Sequence, residues 1–530
     1  MSDTISAATL KHWLQDGNEI ALFDVREAGQ FGEGHLFFAV PLPYSRLEID
    51  VIRLAPRKSV RVVLTDDGEG VAEQAAQRLE TLGYTRVQVL AQGNAGWVAA
   101  GYQLFKGVNV PSKTFGELVE HAYHTPHISA TELDRWRQSG RPYVLLDGRT
   151  VDEHHKMTIP GSVACPNGEL PYRINDVLEQ AAVDANTPVV INCAGRTRSI
   201  LGAQTLRNLQ LPNPVLALEN GTQGWTLAGL SLEHGSRSRY PEHVADTALA
   251  QERASAETLR QRFNIPVLTA SQAQAWLDDQ ARSTFVFDIR SEQEYREKTL
   301  PGASHAPGGQ LIQATDQYLG VRNSRLILLD HEQVRAPVVA SWLYQLGFEV
   351  AILEHGIATA IRVSALPDSV ACLPVASGPL VASLFQQGKL ALLDIRSSAA
   401  YRREHIAGVP WSIRPRLPQW LAAQSIRPET VVLIADSAKV AKLAAQDLRQ
   451  AGVQRVEWLY GISALVHAGL RTQKESALPD DAERIDYLFF VHDRHEGNLE
   501  AARDYLAWET ALIGQCTADE LAVFRLPDTA

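Results

Sequence analysis

VVINCAGRTRSILGAQTLRNL, residues 189–209, is the stretch whose reading decides the fold. Val189, Val190 and Ile191 form the short apolar run of a strand covered on both faces, and Ile200, Leu201, Ala203, Leu206 and Leu209 recur at roughly helical spacing. Cys193 therefore falls where a strand hands over to a helix N-terminus. Unpaired N–H groups and the helix dipole converge there, which favours a thiolate or a bound oxyanion. Arg196 and Arg198 place two further positive charges within five residues of the sulfur. The pattern predicts an activated cysteine facing an anion pocket.

The same order of segments appears four times. Val62 to Asp66, Leu326 to Asp330 and Val431 to Ala435 are each followed by a comparable helix, ending AAQRLETLGY, VASWLYQLGF and AAQDLRQAGV. Upstream of each loop lies a D-x-R element beginning at Asp24, Asp147, Asp288 or Asp394, and the loops start 42, 46, 42 and 41 residues later. Successive elements lie 123, 141 and 106 residues apart, which is domain spacing and too long for a solenoid. Only the second copy has a cysteine at the loop start; Asp66, Asp330 and Ala435 stand there in the others.

Alternation of short apolar strands with amphipathic helices predicts an α/β fold, each copy a mostly parallel sheet flanked by helices with right-handed crossovers. In such sheets a ligand sits beyond the carboxyl ends of the strands, where the Cys193 loop falls. The layout expected is residues 1–110, 127–238 (carrying Cys193), 266–365 and 373–475, then a C-terminal extension, 476–530. Pro111 to Pro126 reads as a first linker and Tyr240 to Pro266 as a longer, helical connection. In the extension a strand-like run around Tyr487 precedes a helix bearing Leu499, Ala502, Tyr505, Leu506 and Leu512, whose apolar face predicts packing on the body.

With 530 residues, 45% hydrophobic and 21% charged, the chain reads as a globular protein of several domains. A formal charge of −11 argues against a nucleic-acid surface, which needs a net basic face. The start, MSDTISAATLKHWLQDGNEI, lacks a basic region followed by an apolar stretch, and no run of about 18 apolar residues occurs. These features predict no membrane association and a cytoplasmic location. Cys165, Cys193, Cys372 and Cys516 are scattered without CxxC or Cys/His pairing, so neither a disulfide framework nor a metal site is expected.

The D-x-R element, the E-(F/Y)-x-x-G-H-I-P-G element, the cysteine loop and the G-x-x-x-W-x-x-x-G ending, repeated in register over residues 5–475, resemble four tandem domains of the rhodanese (thiosulfate sulfurtransferase) family. The resemblance implies a persulfide mechanism without cofactor or metal. Cys193 takes a sulfane sulfur from a donor such as thiosulfate and passes it to cyanide or a thiol, including a protein thiol. It also implies that Ala194, Gly195, Arg196, Thr197, Arg198 and Ser199 form the substrate loop. The spacing is Cys-x4-Arg, whereas the related phosphatases and arsenate reductases use Cys-x5-Arg, so sulfur transfer is favoured over those reactions. The Cys-Ala-Gly-Arg loop also departs from the Cys-Gly-Ser-Gly type of mercaptopyruvate sulfurtransferases.

The chemistry agrees independently. Attack on a sulfane sulfur needs a thiolate, and the departing sulfite dianion is stabilised by clustered cations and N–H donors. Asp147, Arg149 and Glu153 read as braces, since their motif recurs in copies lacking the cysteine. Cys165 reads as a core or loop thiol, with a resolving role as the alternative, and Trp225 as core packing. The active copy has Met157-Thr158 where Gly34-His35 stands in the first. The three copies without cysteine read as scaffolds or partner surfaces. The alternative function is a sulfur-relay or docking protein charged by a protein persulfide.

Overall fold

A computed structural model describes residues 3–242, 246–366, 373–474, 478–495 and 498–527. Contacts divide the chain into two units, one built mainly from Ile20–Val108 and Leu366–Val491, the other from Asn109–Ala365 and His492–Ala530. The first and fourth repeats share one unit, and the second and third share the other with the C-terminal helix.

In the second repeat the strands lie in the order His127–Ile128, Val215–Leu218, Val189–Asn192, Val144–Asp147, Val163–Ala164, all parallel. Val144 pairs with Val189 and Asp147 with Asn192. Every residue of Val189–Asn192 is buried because the pleat sends alternate side chains to two different cores. Val189 and Ile191 join Val144, Leu146, Leu206 and Val215 on one face, and Val190 joins Leu133, Leu145, Leu218 and Trp225 on the other. Trp225 is thus core, its Nε1 donating to the Ser231 carbonyl at 3.0 Å.

The third repeat has the same order, Val267–Leu268, Glu349–Leu353, Arg325–Leu329, Thr284–Asp288, Ser304–His305, and so does the first. In the fourth, a parallel sheet of Ala391–Asp394, Thr430–Ala435 and Arg455–Tyr460 remains, and the two outer positions shrink to single bridges, Val375 with Trp458 and Asp394 with Trp411. The mostly parallel α/β expectation is met. Among the described residues no helix is long and apolar enough to cross a membrane.

Two expectations are corrected. Residues 111–126 are no linker, because Val110–Tyr123 is a helix that buries Val110, Lys113, Phe115, Glu117 and Val119. Pro111 occupies the first turn, where a missing N–H costs nothing, so it starts the helix instead of breaking the chain. The strand-like run near Tyr487 is no strand; Phe489–His492 is a single helical turn, and its aromatic residues pack with one another, Tyr487 against Phe489 at 4.8 Å. The connection between the second and third repeats is helical over Asp246–Arg262 and the tail over Leu499–Gln515, as the spacing predicts. Cys372 lies outside the described residues.

Candidate active site

Cys193 follows the buried strand directly, and the helix Thr197–Asn208 begins four residues later. The loop is tied from behind by the start of helix Gly221–Leu227. Thr222 N–H donates to the Cys193 carbonyl at 2.8 Å and Gln223 N–H to that of Ala194 at 3.1 Å. Gly221 has φ +51°, and a β-carbon there would strike the Cys193 carbonyl, so only glycine lets this helix come close enough. Gly93 and Gly356 stand against the carbonyls of Asp66 and Asp330 in the same manner, which explains the first glycine of the repeated ending.

Cys193 is 2% exposed, and Ser199 Oγ donates to its sulfur at 3.1 Å. The N–H groups of Arg196, Thr197, Arg198 and Ser199 have no acceptor among the described residues. The third repeat shows where such groups point. In register with Cys193, Asp330 turns its carboxylate into the loop and accepts from the N–H groups of Gln333 (2.8 Å), Val334 (3.0 Å), Arg335 (2.8 Å) and Ala336 (3.2 Å). These four are the counterparts of residues 196–199. A carboxylate fills the anion cradle of the third repeat, and the cradle of the second is open.

The Asp–Arg brace is shared by all four repeats. Arg149 grips Asp147 with Nε at 2.9 Å and Nη2 at 2.6 Å, and the pairs Arg26–Asp24, Arg290–Asp288 and Arg396–Asp394 repeat the 2.6 Å contact. Asp147 also accepts from Thr158 Oγ1 at 2.8 Å. Glu153 caps its own helix together with Thr150 and takes both nitrogens of Arg198 at 2.8 Å. Burial would raise the Glu153 carboxyl, but the Arg198 charge and hydrogen bonds, with Arg149, outweigh it and hold it at about 2. This pair therefore stabilises the fold above the unfolded carboxyl value of about 4.3, and its contribution fades as pH falls toward 2. Glu153→Gln is expected to flatten the stability profile between those limits, measured by denaturant titration at stepped pH.

The two loop arginines behave differently from the expectation of free cations. Arg196 turns toward the helix Val110–Tyr123, meeting Glu117 at 2.8 and 2.9 Å and also Glu120. Arg198 is bridged to Glu153 and still lends charge to the sulfur: burial lowers its pKa, and Glu153 and then Cys193 raise it above the ordinary value. Thr197 Oγ1 donates to Glu509 of the C-terminal helix at 2.8 Å, and Gly116 packs against Thr197 so closely that a β-carbon would lie 2.7 Å from its methyl. Glu117, Glu120, Lys113, Gln223 and Glu509 were not among the sequence candidates. An acidic pair three residues apart on a proline-started helix is the only local signal for them; nothing local links Thr197 with a residue 312 positions away.

Cys165 is fully buried, and burial followed by the Glu169 charge pushes its thiol well up, which makes it inert. Burial pushes Cys516 up to about 12. No cluster of potential metal ligands occurs among the described residues.

Three segments, residues 6–100, 129–228 and 269–359, match the model of the Rhodanese-like domain, together more than half of the chain, and the second contains Cys193. The crystal structure of a thiosulfate sulfurtransferase from Pseudomonas aeruginosa is similar at TM-score 0.90 and 37% identity, over 99% of this chain and 100% of that one. A curated relative, "Putative sulfur carrier protein YrkF" of Bacillus subtilis (strain 168), is 31% identical over 107 residues, 20% of this chain. The chain spans about half, 54%, of that relative's length. Matched over most of its repeats and similar along its whole length to a thiosulfate sulfurtransferase, the chain belongs to the rhodanese family of sulfurtransferases.

Proposed function

We propose that the chain is a thiosulfate sulfurtransferase working through Cys193. The observation that carries this reading is the set of four unpartnered N–H groups at residues 196–199, in register with the four that hold the Asp330 carboxylate in the third repeat. The Cys193 thiolate attacks the sulfane sulfur of thiosulfate. Its lone pair forms the new S–S bond, the old S–S bond breaks, and its electron pair leaves with sulfite. The terminal persulfide sulfur, now negative, takes the place that the Asp330 carboxylate occupies in the third repeat, where N–H dipoles stabilise it. Cyanide or a thiolate then attacks that sulfur, and Cys193 is released as thiolate. No redox partner is needed, since the sulfur moves without net change of oxidation state across the two steps.

Ser199 Oγ, at 3.1 Å, hydrogen-bonds the sulfur and stabilises it whenever it is negative. Arg198 contributes charge to donor and sulfite while Glu153 holds it in place. Arg198→Ala is expected to raise the thiosulfate concentration needed for half-maximal rate, because a charge-assisted contact is worth about 1.5–3 kcal/mol, roughly 10- to 150-fold. Thiocyanate formation from thiosulfate and cyanide is the assay. Turnover in the wild type with a raised KM in the variant supports the reading. Absence of turnover, with Cys193 instead charged by a persulfide-bearing protein, would assign the chain to sulfur relay, the role that the name of the Bacillus relative suggests.

A further inference from the structure

Cys193 and Asp330 occupy the same position in their repeats, yet the N–H groups that follow them are held differently. In the third repeat the Asp330 carboxylate holds them from inside, accepting from Gln333, Val334, Arg335 and Ala336. In the second, the four counterparts at residues 196–199 have no acceptor among the described residues. Like-directed N–H dipoles with no anion between them repel one another, so their alignment needs support from outside the loop.

That support comes from two elements beyond the matched segment 129–228. The helix Val110–Tyr123 takes Arg196 through Glu117 at 2.8 and 2.9 Å, and its Gly116 packs against Thr197. The C-terminal helix Leu499–Gln515 brings Glu509, 1% exposed, whose Oε1 accepts from Thr197 Oγ1 at 2.8 Å. The same helix comes close to Gly195, where a β-carbon would lie 3.1 Å from Glu509 Oε2 and 3.9 Å from Tyr505. The third repeat has neither device: Glu332 stands in place of Gly195, and Val334, which has no hydroxyl, in place of Thr197.

Thr197 is the first residue of the helix Thr197–Asn208 and carries one of the four N–H groups. A buried hydrogen bond from its hydroxyl to a carboxylate fixes the side chain and the helix start, and with them the direction of the neighbouring N–H groups. Glu509 also meets Lys113 at 3.2 Å and lies in the field of Arg494, so its charge is answered locally and what it gives the loop is a fixed contact.

We propose that Glu509 is a positioning residue for the chemistry of Cys193: through Thr197, the C-terminal helix holds the N–H groups of residues 196–199 in the alignment that the Asp330 carboxylate imposes in the third repeat. Within the sulfurtransferase reading, on which its catalytic meaning rests, this preorganises the groups that receive a negative sulfur. Glu509 touches neither sulfur nor donor; it acts through Thr197.

The test is the pH profile of Cys193 alkylation by iodoacetamide, a neutral reagent, in the full chain, with peptide mass mapping at Cys193. Thr197→Val keeps the shape, removes the hydroxyl and leaves Lys113 paired with Glu509. It is expected to displace the midpoint of the profile upward by about 0.5–1 pH unit, which makes alkylation roughly three- to tenfold slower on the acid side, with the plateau at high pH unchanged. Glu509→Leu removes the acceptor and is expected to move the midpoint the same way, whereas Glu509→Gln, which keeps an acceptor for Thr197, is expected not to raise it. A carboxylate acting by charge alone gives the opposite sign, because a nearby anion disfavours a thiolate and its removal lowers the midpoint. Should Glu509→Leu fail to fold, Thr197→Val made in the Glu509→Gln background, where no charge remains, decides by the same upward displacement. A midpoint unmoved or lowered in Thr197→Val or Glu509→Leu overturns the proposal, as does one raised equally in Glu509→Gln, or a plateau that rises over a fixed midpoint as a loosened loop would give. Midpoints that move as expected while the wild type forms no thiocyanate would remove the sulfurtransferase reading and leave the positioning role. Wild-type turnover with a fixed midpoint in Thr197→Val would remove this inference alone.

Discussion

Cys193→Ser abolishes sulfur transfer and leaves the fold intact: that is the largest functional effect expected of any single substitution here. A hydroxyl has nearly the volume of the thiol, so the 2% exposed site is neither emptied nor overfilled, and Ser199 retains a hydrogen-bond partner. The serine alkoxide is inaccessible near neutral pH, and an oxygen cannot take up and return a sulfane sulfur as a thiolate does. The other cysteines do not substitute: Cys165 is sealed in the core with its thiol pushed well up, and Cys516 is pushed up to about 12. Thiocyanate formation at or below the uncatalysed rate, with an unchanged thermal transition, is the expected outcome. Retained turnover in this variant would remove Cys193 from the mechanism.

The largest effect on stability is expected at Arg335, the counterpart of Arg198 in the third repeat. Its side chain is completely buried and meets Glu169 at 3.0 Å, Glu294 at 2.8 Å and Glu332 at 2.6 Å, with Tyr172 stacked beneath at 4.5 Å. Glu169 belongs to the second repeat, so this one guanidinium joins the repeat that carries Cys193 to its neighbour within the same unit. Burial would raise Glu294, yet Arg335 and the Ser291 hydrogen bonds hold it at about 2. Arg335→Met fills the space but leaves Glu294 and Glu332 without their cation and Glu169 with Arg173 alone, a change that costs about 3–5 kcal/mol when one member of a buried ionic cluster is removed. A chain of several domains need not unfold in one step, so the readout is the first transition in a denaturant titration followed by tryptophan fluorescence. A loss below about 1 kcal/mol would mean that the cluster is hydrated in solution and contributes no more than a surface pair.

What could be read from the residues alone was whatever is local in the chain. A strand, a cysteine, two arginines and a helix lie within residues 189–209, and recurrence of the same order in register made a mostly parallel sheet in each repeat a consequence of the pattern. The D-x-R pairs are two residues apart and were recognised for the same reason. Reading failed where partners come from far along the chain. Counting Arg196 and Arg198 suggested a strongly positive pocket, but Glu117 and Glu120 arrive from a helix that two prolines made to look like a linker, and Glu509 arrives from the tail. Asp66 and Asp330 were legible as the loss of a nucleophile; that the Asp330 carboxylate folds back to occupy the cradle depends on loop geometry no spacing reveals. The fourth repeat kept its central strands in the pattern, whereas the reduction of its outer strands to single bridges had no counterpart in residue type that we can identify.

The central claim is that Cys193 carries sulfur in an otherwise anion-free cradle of N–H groups. Intact-protein mass spectrometry of wild type and Cys193→Ser, after incubation with thiosulfate and then with cyanide, tests it most directly. The account predicts a gain of about 32 Da, one sulfur atom, in the wild type alone, removed by cyanide. A thiosulfate-dependent adduct that persists in Cys193→Ser, or none at all in the wild type while thiocyanate is still produced, would contradict it.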